Sequence, residues 1–213
     1  MRHPTHMDAP PLPDCTAFAG PRRIASGDLL RVALRTKEVL DQGEQAPVLI
    51  FDETTGEAID VDFRGEADEV ARRLTERFGA RPAPEPRPET PRGPGRPKLG
   101  VVAREVTLLP RHWEWLSSQP GGASVTLRKL VEEARRTHAG KDRIRQAQEA
   151  TYRFMQALAG NLVGFEEATR ALFASNPQRF DSLIHTWPED IQVHARKLAA
   201  PAFQTTAPSE TPT

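Results

Sequence analysis

The sequence predicts an α+β protein with a small β-α-β-β-α N-terminal domain, a proline-rich linker, a strand-helix-helix module and a C-terminal helical bundle. Three features of the 213 residues support this class. Short runs of alternating apolar and polar residues in the first third of the chain indicate half-buried strands. Apolar residues spaced three and four apart in the second half indicate amphipathic helices. A dense cluster of prolines between the two regions indicates an extended tether.

The N-terminal domain is predicted to cover residues 16–80. The stretch TAFAG, starting at Thr16, is a strand candidate, and the next helix is expected to be capped by Ser26 and closed by Gly43. The stretch APVLIFDETTGEAIDVDF predicts a hairpin, because an apolar run is followed by a turn and an alternating run. The stretch EADEVARRLTERF predicts the last, amphipathic helix.

Acidic residues in and around this hairpin could suggest metal binding or acid–base catalysis. Asp60 and Asp62 alternate with apolar residues, as expected for the solvent face of a half-buried strand. The acids beside the turn occupy positions where such residues are common. The sequence therefore predicts neither role for the group, which comprises Asp52, Glu53, Glu57, Asp60 and Asp62.

The regions outside the predicted domains are rich in proline or polar residues. Residues 81–99 contain seven prolines, so an extended linker is expected there. Residues 1–15 and 201–213 are expected to be disordered, because neither segment carries an apolar pattern.

Residues 100–140 form the predicted strand-helix-helix module. The run VVAREVTLLP indicates a strand, and Pro110 is expected to begin a short helix. After the turn PGGAS, Ser124 is expected to cap a second helix that ends at Gly140. This helix carries an apolar stripe at helical spacing, formed by Leu127, Leu130, Val131 and Ala134.

Residues 141–200 are predicted to form a small helical bundle. Asp142 is expected to cap its first helix and Gly160 to close it. Asn176 followed by Pro177 is typical of a helix start, because proline is favoured at the first helical position.

Composition limits the possible functions. The single cysteine, Cys15, excludes an internal disulfide framework, and the absence of a signal-peptide pattern or an apolar run of about 20 residues predicts a cytoplasmic protein without a membrane segment. The six histidines lack metal-ligand spacing, and no phosphate loop or nucleophile motif occurs. The sequence therefore predicts a protein that is not an enzyme and needs no cofactor.

Charge is distributed unevenly along the chain. Residues 91–146 contain twelve Arg and Lys residues against five Asp and Glu residues, a net charge of +7 in a chain whose total is zero. A basic block flanked by acidic segments is expected of a polyanion-binding region, and it also fits helices with solvated arginine faces.

The strand-helix-helix module resembles the ribbon-helix-helix fold of MetJ/Arc-type repressors. The likeness is carried by REVTLLP at 104–110, HWEWL at 112–116 and GGASVTLRKLVEEARR at 121–136. One strand with two helices buries little surface, so two copies are expected to pair through the 101–109 strand as a homodimer. The resemblance implies that the paired strands enter the major groove of DNA and that amides at Ser124 and Val125 hold a phosphate.

The apolar pattern of the strand departs from that family. Val106 and Leu108 are expected to face inward, which turns Glu105 and Thr107 outward and places Arg104 on the inner face. The preceding Gly-Arg-Pro-Lys segment resembles part of an AT-hook, which lies in the minor groove of DNA. The residues predicted to contact nucleic acid are therefore Arg92, Arg96, Lys98, Arg104, Thr107, Ser124 and Arg128.

The chain as a whole resembles a bacterial protein family with no established function. The first hypothesis is a homodimeric DNA-binding protein, of which a transcriptional regulator is one form, and its acidic N-terminal domain is expected to bind a partner or effector. The alternative is a non-enzymatic interaction protein that uses the strand-helix-helix unit only to dimerise.

Overall fold

A computed structural model describes residues 12–79 and 104–204. These residues form an α+β fold with one three-stranded antiparallel sheet and seven α-helices. They divide into two compact units, one containing 12–79 and 140–204 and the other containing 104–139. The elements are β1 Asp14–Ala19, β2 Arg22–Asp28, α1 Leu29–Asp41, β3 Val48–Asp52, α2 Ala67–Leu74, α3 Pro110–Ser118, α4 Gly122–Ala159, α5 Phe165–Phe173, α6 Pro177–Ile184 and α7 Glu189–Ala199.

The sheet has the order β2-β1-β3, so β1 is the central strand. Its two faces serve two cores, because successive side chains on a strand point to opposite faces. Cys15 and Ala17 of β1 pack in a core with α1 and α2. Phe18 of β1 and Phe51 of β3 pack instead with Phe154 of α4 and with α5–α7. The sheet and the C-terminal helices therefore share a hydrophobic core within the first unit.

The element order before residue 80 is β-β-α-β-α rather than the predicted β-α-β-β-α. The strand at TAFAG is confirmed as β1, but Ser26 lies in β2 and does not cap α1. Asp28 caps that helix, since its Oδ1 accepts the Arg31 N–H at 3.0 Å. The pattern failed because β2, with the sequence RRIASGD, is a polar edge strand with a bulge opposite Ala17 and Phe18.

The predicted second strand of the hairpin is reduced to a single bridge between Phe51 and Ala58. Beyond it, carbonyls of this segment accept hydrogen bonds from arginines of α2 and of the following π-helical turn, Thr75–Gly79. Arg73 donates to Asp62 O, and Arg77 donates to Asp60 O, both at 2.9 Å. Side chains of this segment still pack against the α1/α2 core.

The C-terminal helices follow the predicted pattern closely. Asn176 caps α6 by accepting the Arg179 N–H at 3.0 Å, and Pro177 occupies the first helical position. Helix α4 ends at Ala159, next to the predicted stop at Gly160. Trp187 is buried and donates its Nε1–H to Val163 O at 2.9 Å.

The second unit contains α3 and the first half of α4. Pro110 begins α3 as predicted. The predicted helix stop at Gly140 and the new start at Asp142 are wrong, because α4 runs unbroken from Gly122 to Ala159. One glycine inside a helix costs about 1 kcal/mol, which the remaining turns can offset. Asp142 pairs on the surface with Arg145 at 2.9 Å rather than capping a helix.

The predicted 101–109 strand is not formed by the part of it that the structure describes. Residues 104–109 have no regular secondary structure, and 101–103 lie outside the described residues. Of the two residues expected to point inward, Val106 is 56% exposed and Leu108 is half-buried. A strand requires a neighbouring strand for its backbone groups, and none within the described residues pairs with this segment.

Candidate functional site

The residues predicted to contact nucleic acid fall into two groups. Arg92, Arg96 and Lys98 lie outside the described residues. Arg104 and Thr107 are exposed in the irregular segment before α3, and Ser124 and Arg128 are exposed on α4. Ser124 is not a helix cap, because α4 begins two residues earlier, at Gly122. Its backbone amide still lies in the first turn, where N–H groups have no acceptor within the helix.

The second unit concentrates exposed apolar side chains. Among the described residues, nine large apolar side chains are notably exposed, and six of them lie between 104 and 139. They include Trp113 at 41%, Trp115 at 50% and Val131 at 54% exposure. Leu116 of α3 is buried within the same stretch of the chain. A concentration of this kind marks an interaction surface more often than single scattered apolar residues do.

Residues 128–139 of α4 are exposed around the whole circumference of the helix. Every residue from 128 to 139 is exposed, which corresponds to about 18 Å of helix. The predicted stripe nevertheless places Leu130 and Val131 on one side of this stretch, at 42% and 54% exposure. Arg128 and Arg135, seven residues apart, lie together beside that stripe because seven residues make nearly two helical turns. The segment therefore offers an apolar face bordered by basic groups.

The first unit contains a polar cluster that the sequence patterns did not predict. It lies on the face of the sheet that packs against the C-terminal helices. Thr16 Oγ1 donates to Glu53 Oε1 and lies 2.9 Å from Ser26 Oγ. Lys197 Nζ of α7 lies 2.9 Å from Glu53 Oε2, and the Glu53 side chain is only 13% exposed. Strand alternation identifies Asp60 and Asp62 as surface acids, but it carries no signal that Glu53 is enclosed by a helix from the other end of the chain.

His194 of α7 lies beside this cluster and is 2% exposed. Its ring packs against Phe154 and Phe18, with ring centroids 4.5 and 5.4 Å away. Its Nε2 atom has no hydrogen-bond partner among the described residues. Burial lowers the pKa of His194 from 6.5 to about 4; the Glu53 carboxylate opposes this shift, and the Lys197 and Arg23 cations add to it. The imidazole is therefore neutral at physiological pH.

No group of His, Cys, Asp and Glu side chains within the described residues is arranged to hold a metal ion. Burial, followed by the nearby carboxylates led by Asp52, raises the pKa of the Cys15 thiol to about 12, so its thiolate population is negligible. No helix of the described segments is long and apolar enough to cross a membrane.

The fold is that of an α+β protein with a compact sheet-and-helix unit and a second unit that exposes apolar and basic side chains. The chain belongs to the DUF2239 family, described as uncharacterized proteins conserved in bacteria, whose family model matches residues 14–199. That range runs from the start of β1 to the end of α7 and so includes both units. The curated proteins and the solved structures contain no match to the chain.

Proposed function

We propose that this protein is a non-enzymatic interaction protein that self-associates through residues 104–139. The observation that carries the proposal is the group of six exposed apolar side chains in that short segment. Fully burying an exposed Val, Leu or Phe side chain contributes about 1.5–3 kcal/mol. The six side chains are about half exposed, so a partner that covers several of them gains about half of that value for each. The proposal follows the alternative hypothesis from the sequence, a non-enzymatic interaction protein, rather than the DNA-binding hypothesis. The alternative requires only the exposed apolar surface.

A second copy of the chain is the partner that this segment favours. Residues 104–109 carry a strand pattern without a strand neighbour in the described chain, and the same segment of another copy supplies a matching edge. An isologous dimer places the same patch of both copies at the interface. In such a dimer the side chains of Leu130 and Val131 in both copies become buried when the two strands pair. This is the homodimer that the sequence predicts.

Sedimentation velocity tests the proposal. The wild-type chain is expected to sediment with twice its mass of 23.6 kDa at micromolar concentration. The double substitution Leu130→Glu/Val131→Glu is expected to raise the dissociation constant about a hundredfold. Four side chains are changed in the dimer, two in each copy, and covering the exposed half of each contributes about 0.75 kcal/mol. The matched control is Val163→Glu, which changes an 87% exposed side chain in the first unit.

Three outcomes would contradict the proposal. A wild-type chain that stays monomeric at about 100 μM protein would contradict self-association, because the dissociation constant of the dimer would then lie above that concentration. An equal effect of the double substitution and the control would place the association elsewhere. A dimer unaffected by either change would do the same.

DNA binding by the same dimer is a second candidate, favoured by a different observation. Residues 91–146 have a net charge of +7, and within their described part Arg128, Lys129 and Arg136 are exposed. Each phosphate contact by Arg or Lys adds affinity that falls as salt concentration rises. The Arg/Pro-rich stretch at 91–99, which lies outside the described residues, supplies three further cations.

A fluorescence anisotropy titration with labelled duplex DNA at low and moderate salt tests this candidate. Binding that weakens steeply with salt and is reduced in Arg96→Ala/Lys98→Ala and in Arg128→Ala supports DNA binding. Arg170→Ala is the control, because Arg170 lies on α5 in the first unit and pairs with Glu167. No binding at micromolar protein in low salt would exclude the candidate and leave self-association untouched.

A further inference from the structure

A groove in the first unit runs between the edge strand β2 and helix α1. Its volume is about 630 Å³, within the range of roughly 300–1,000 Å³ that is common for ligand-binding clefts. Ile24 and Ala25 of β2 form one wall, and Leu30 and Leu34 of α1 form the other. These side chains are half-buried, so apolar surface lines a cleft that is open to solvent.

The strand at this groove has an unused hydrogen-bonding edge. Leu29 N–H donates to Pro13 O, and the β1–β2 register continues through Gly27 opposite Cys15 and Ala25 opposite Ala17. In an antiparallel pair the N–H and C=O of alternate residues face the partner strand, so those of Ser26 face away from β1. The 2.9 Å contact between Ser26 Oγ and Thr16 Oγ1 agrees, because side chains approach most closely at pairs without backbone hydrogen bonds.

The groove has a closed end, and its lining carries two arginines and two carboxylates, Arg31, Arg35, Asp28 and Glu38. Asp190 of α7 closes one end of the edge by accepting the Arg23 N–H at 2.8 Å. Arg31 and Arg35 line the helix wall, and Arg35 pairs with Glu38 at 2.6 Å. No carboxylate of the described residues forms an ion pair with the Arg31 guanidinium, since Asp28 caps α1 through the Arg31 backbone amide.

We propose that the groove between β2 and α1 binds an extended peptide that adds a strand to β2 and places an acidic side chain against Arg31. Strand addition combines backbone hydrogen bonds at a sheet edge with pockets for alternate side chains. Ser26 supplies the backbone groups, Leu30 and Leu34 supply an apolar pocket, and Arg31 selects a carboxylate. The surface is distinct from residues 104–139 and does not depend on their self-association.

Amide chemical-shift mapping on ¹⁵N-labelled full-length protein tests the proposal. The probe is a capped peptide with the sequence Val-Thr-Val-Glu-Val-Thr. Two N-methylated versions of this peptide serve as controls. One is methylated at the odd-numbered residues and the other at the even-numbered residues. The parent peptide is expected to shift the amides of Ser26 and Arg31, and one of the two N-methylated copies is expected to lose binding because it lacks the edge-facing N–H groups.

Reversing the charge of residue 31 and of the peptide's Glu tests the predicted ion pair more specifically than the chemical-shift mapping does. Arg31→Glu is expected to weaken the Glu peptide about tenfold, which is the loss of one charge-assisted contact. A peptide with Lys in place of Glu is expected to bind Arg31→Glu better than wild type. Arg72→Glu is the matched control, because Arg72 is an exposed arginine on α2 outside the groove.

The outcomes separate this proposal from its competitors. Absence of shifts in β2 and α1 at about 1 mM peptide, or equal binding by all three peptides, overturns it. Shifts of Ser26 and Arg31 that depend on protein concentration without peptide identify a second copy as the occupant and also overturn it. The Leu130→Glu/Val131→Glu chain is expected to bind the peptide normally, so a failure of self-association leaves this test intact.

Discussion

Acidification should destabilise this protein through His194, and the substitution His194→Phe should remove most of that sensitivity. The imidazole is 2% exposed and lies between the rings of Phe18 and Phe154. A charged imidazolium there would lose its hydration without gaining a hydrogen bond to Nε2. A phenyl ring matches the aromatic surroundings and carries no proton that titrates.

The size of the effect follows from the pKa difference between the folded and unfolded chains. The pKa of His194 is about 4 when folded, against 6.5 when unfolded, so the unfolded state binds the proton first as the pH falls. The stabilisation is therefore fully present above pH 6.5 and is lost progressively between pH 6.5 and pH 4. The full shift corresponds to about 3 kcal/mol, of which about 2 kcal/mol is lost by pH 5.

Urea denaturation at about pH 7.5, 6 and 5, followed by far-UV circular dichroism, measures this loss. Wild type should lose about 2 kcal/mol more unfolding free energy over that range than His194→Phe does. His185→Phe is the control, because His185 is exposed at the end of α6. The Arg64 partner lowers the pKa of Asp62, so that exposed pair loses its contribution only at more acidic pH. Identical pH dependence in wild type and His194→Phe would refute the reasoning.

Two further predictions concern backbone positions. Gly140→Ala should raise the free energy of unfolding by about 0.5–1 kcal/mol, measured by urea denaturation, because Gly140 lies inside α4; destabilisation would show that the helix ends there. Gly56→Ala should lower the melting temperature, because the added Cβ would lie 2.1 Å from Ala150 O and the residue has φ of +66°. Gly43→Ala shares the positive φ but meets nothing within 4 Å, so an equal loss in the two variants would contradict the steric cause.

Local pattern was enough to find most helices and the first strand. Asn176 and Pro177 mark the start of α6, and the apolar spacing of Ile191, Ala195 and Leu198 identifies the buried face of α7. These signals act within one or two turns, because caps and amphipathic faces involve residues three or four apart. The same local reasoning predicted a helix end at Gly140, but α4 continues through it, because the hydrogen bonds of the helical turns on both sides offset the roughly 1 kcal/mol cost of one glycine.

Long-range contacts decided the rest. The edge strand β2 has no apolar alternation and exists because β1 pairs with it. Glu53 reads as an ordinary turn acid in the sequence, and only the packing of α7 on the sheet brings Lys197 and His194 to it, more than 140 positions along the chain. The sequence by itself determined the α+β class, the basic block at 91–146 and the apolar stripe of α4. The tertiary structure decided that this stripe is uncovered and that the sheet shares its core with the C-terminal helices, because burial depends on what meets each face in space.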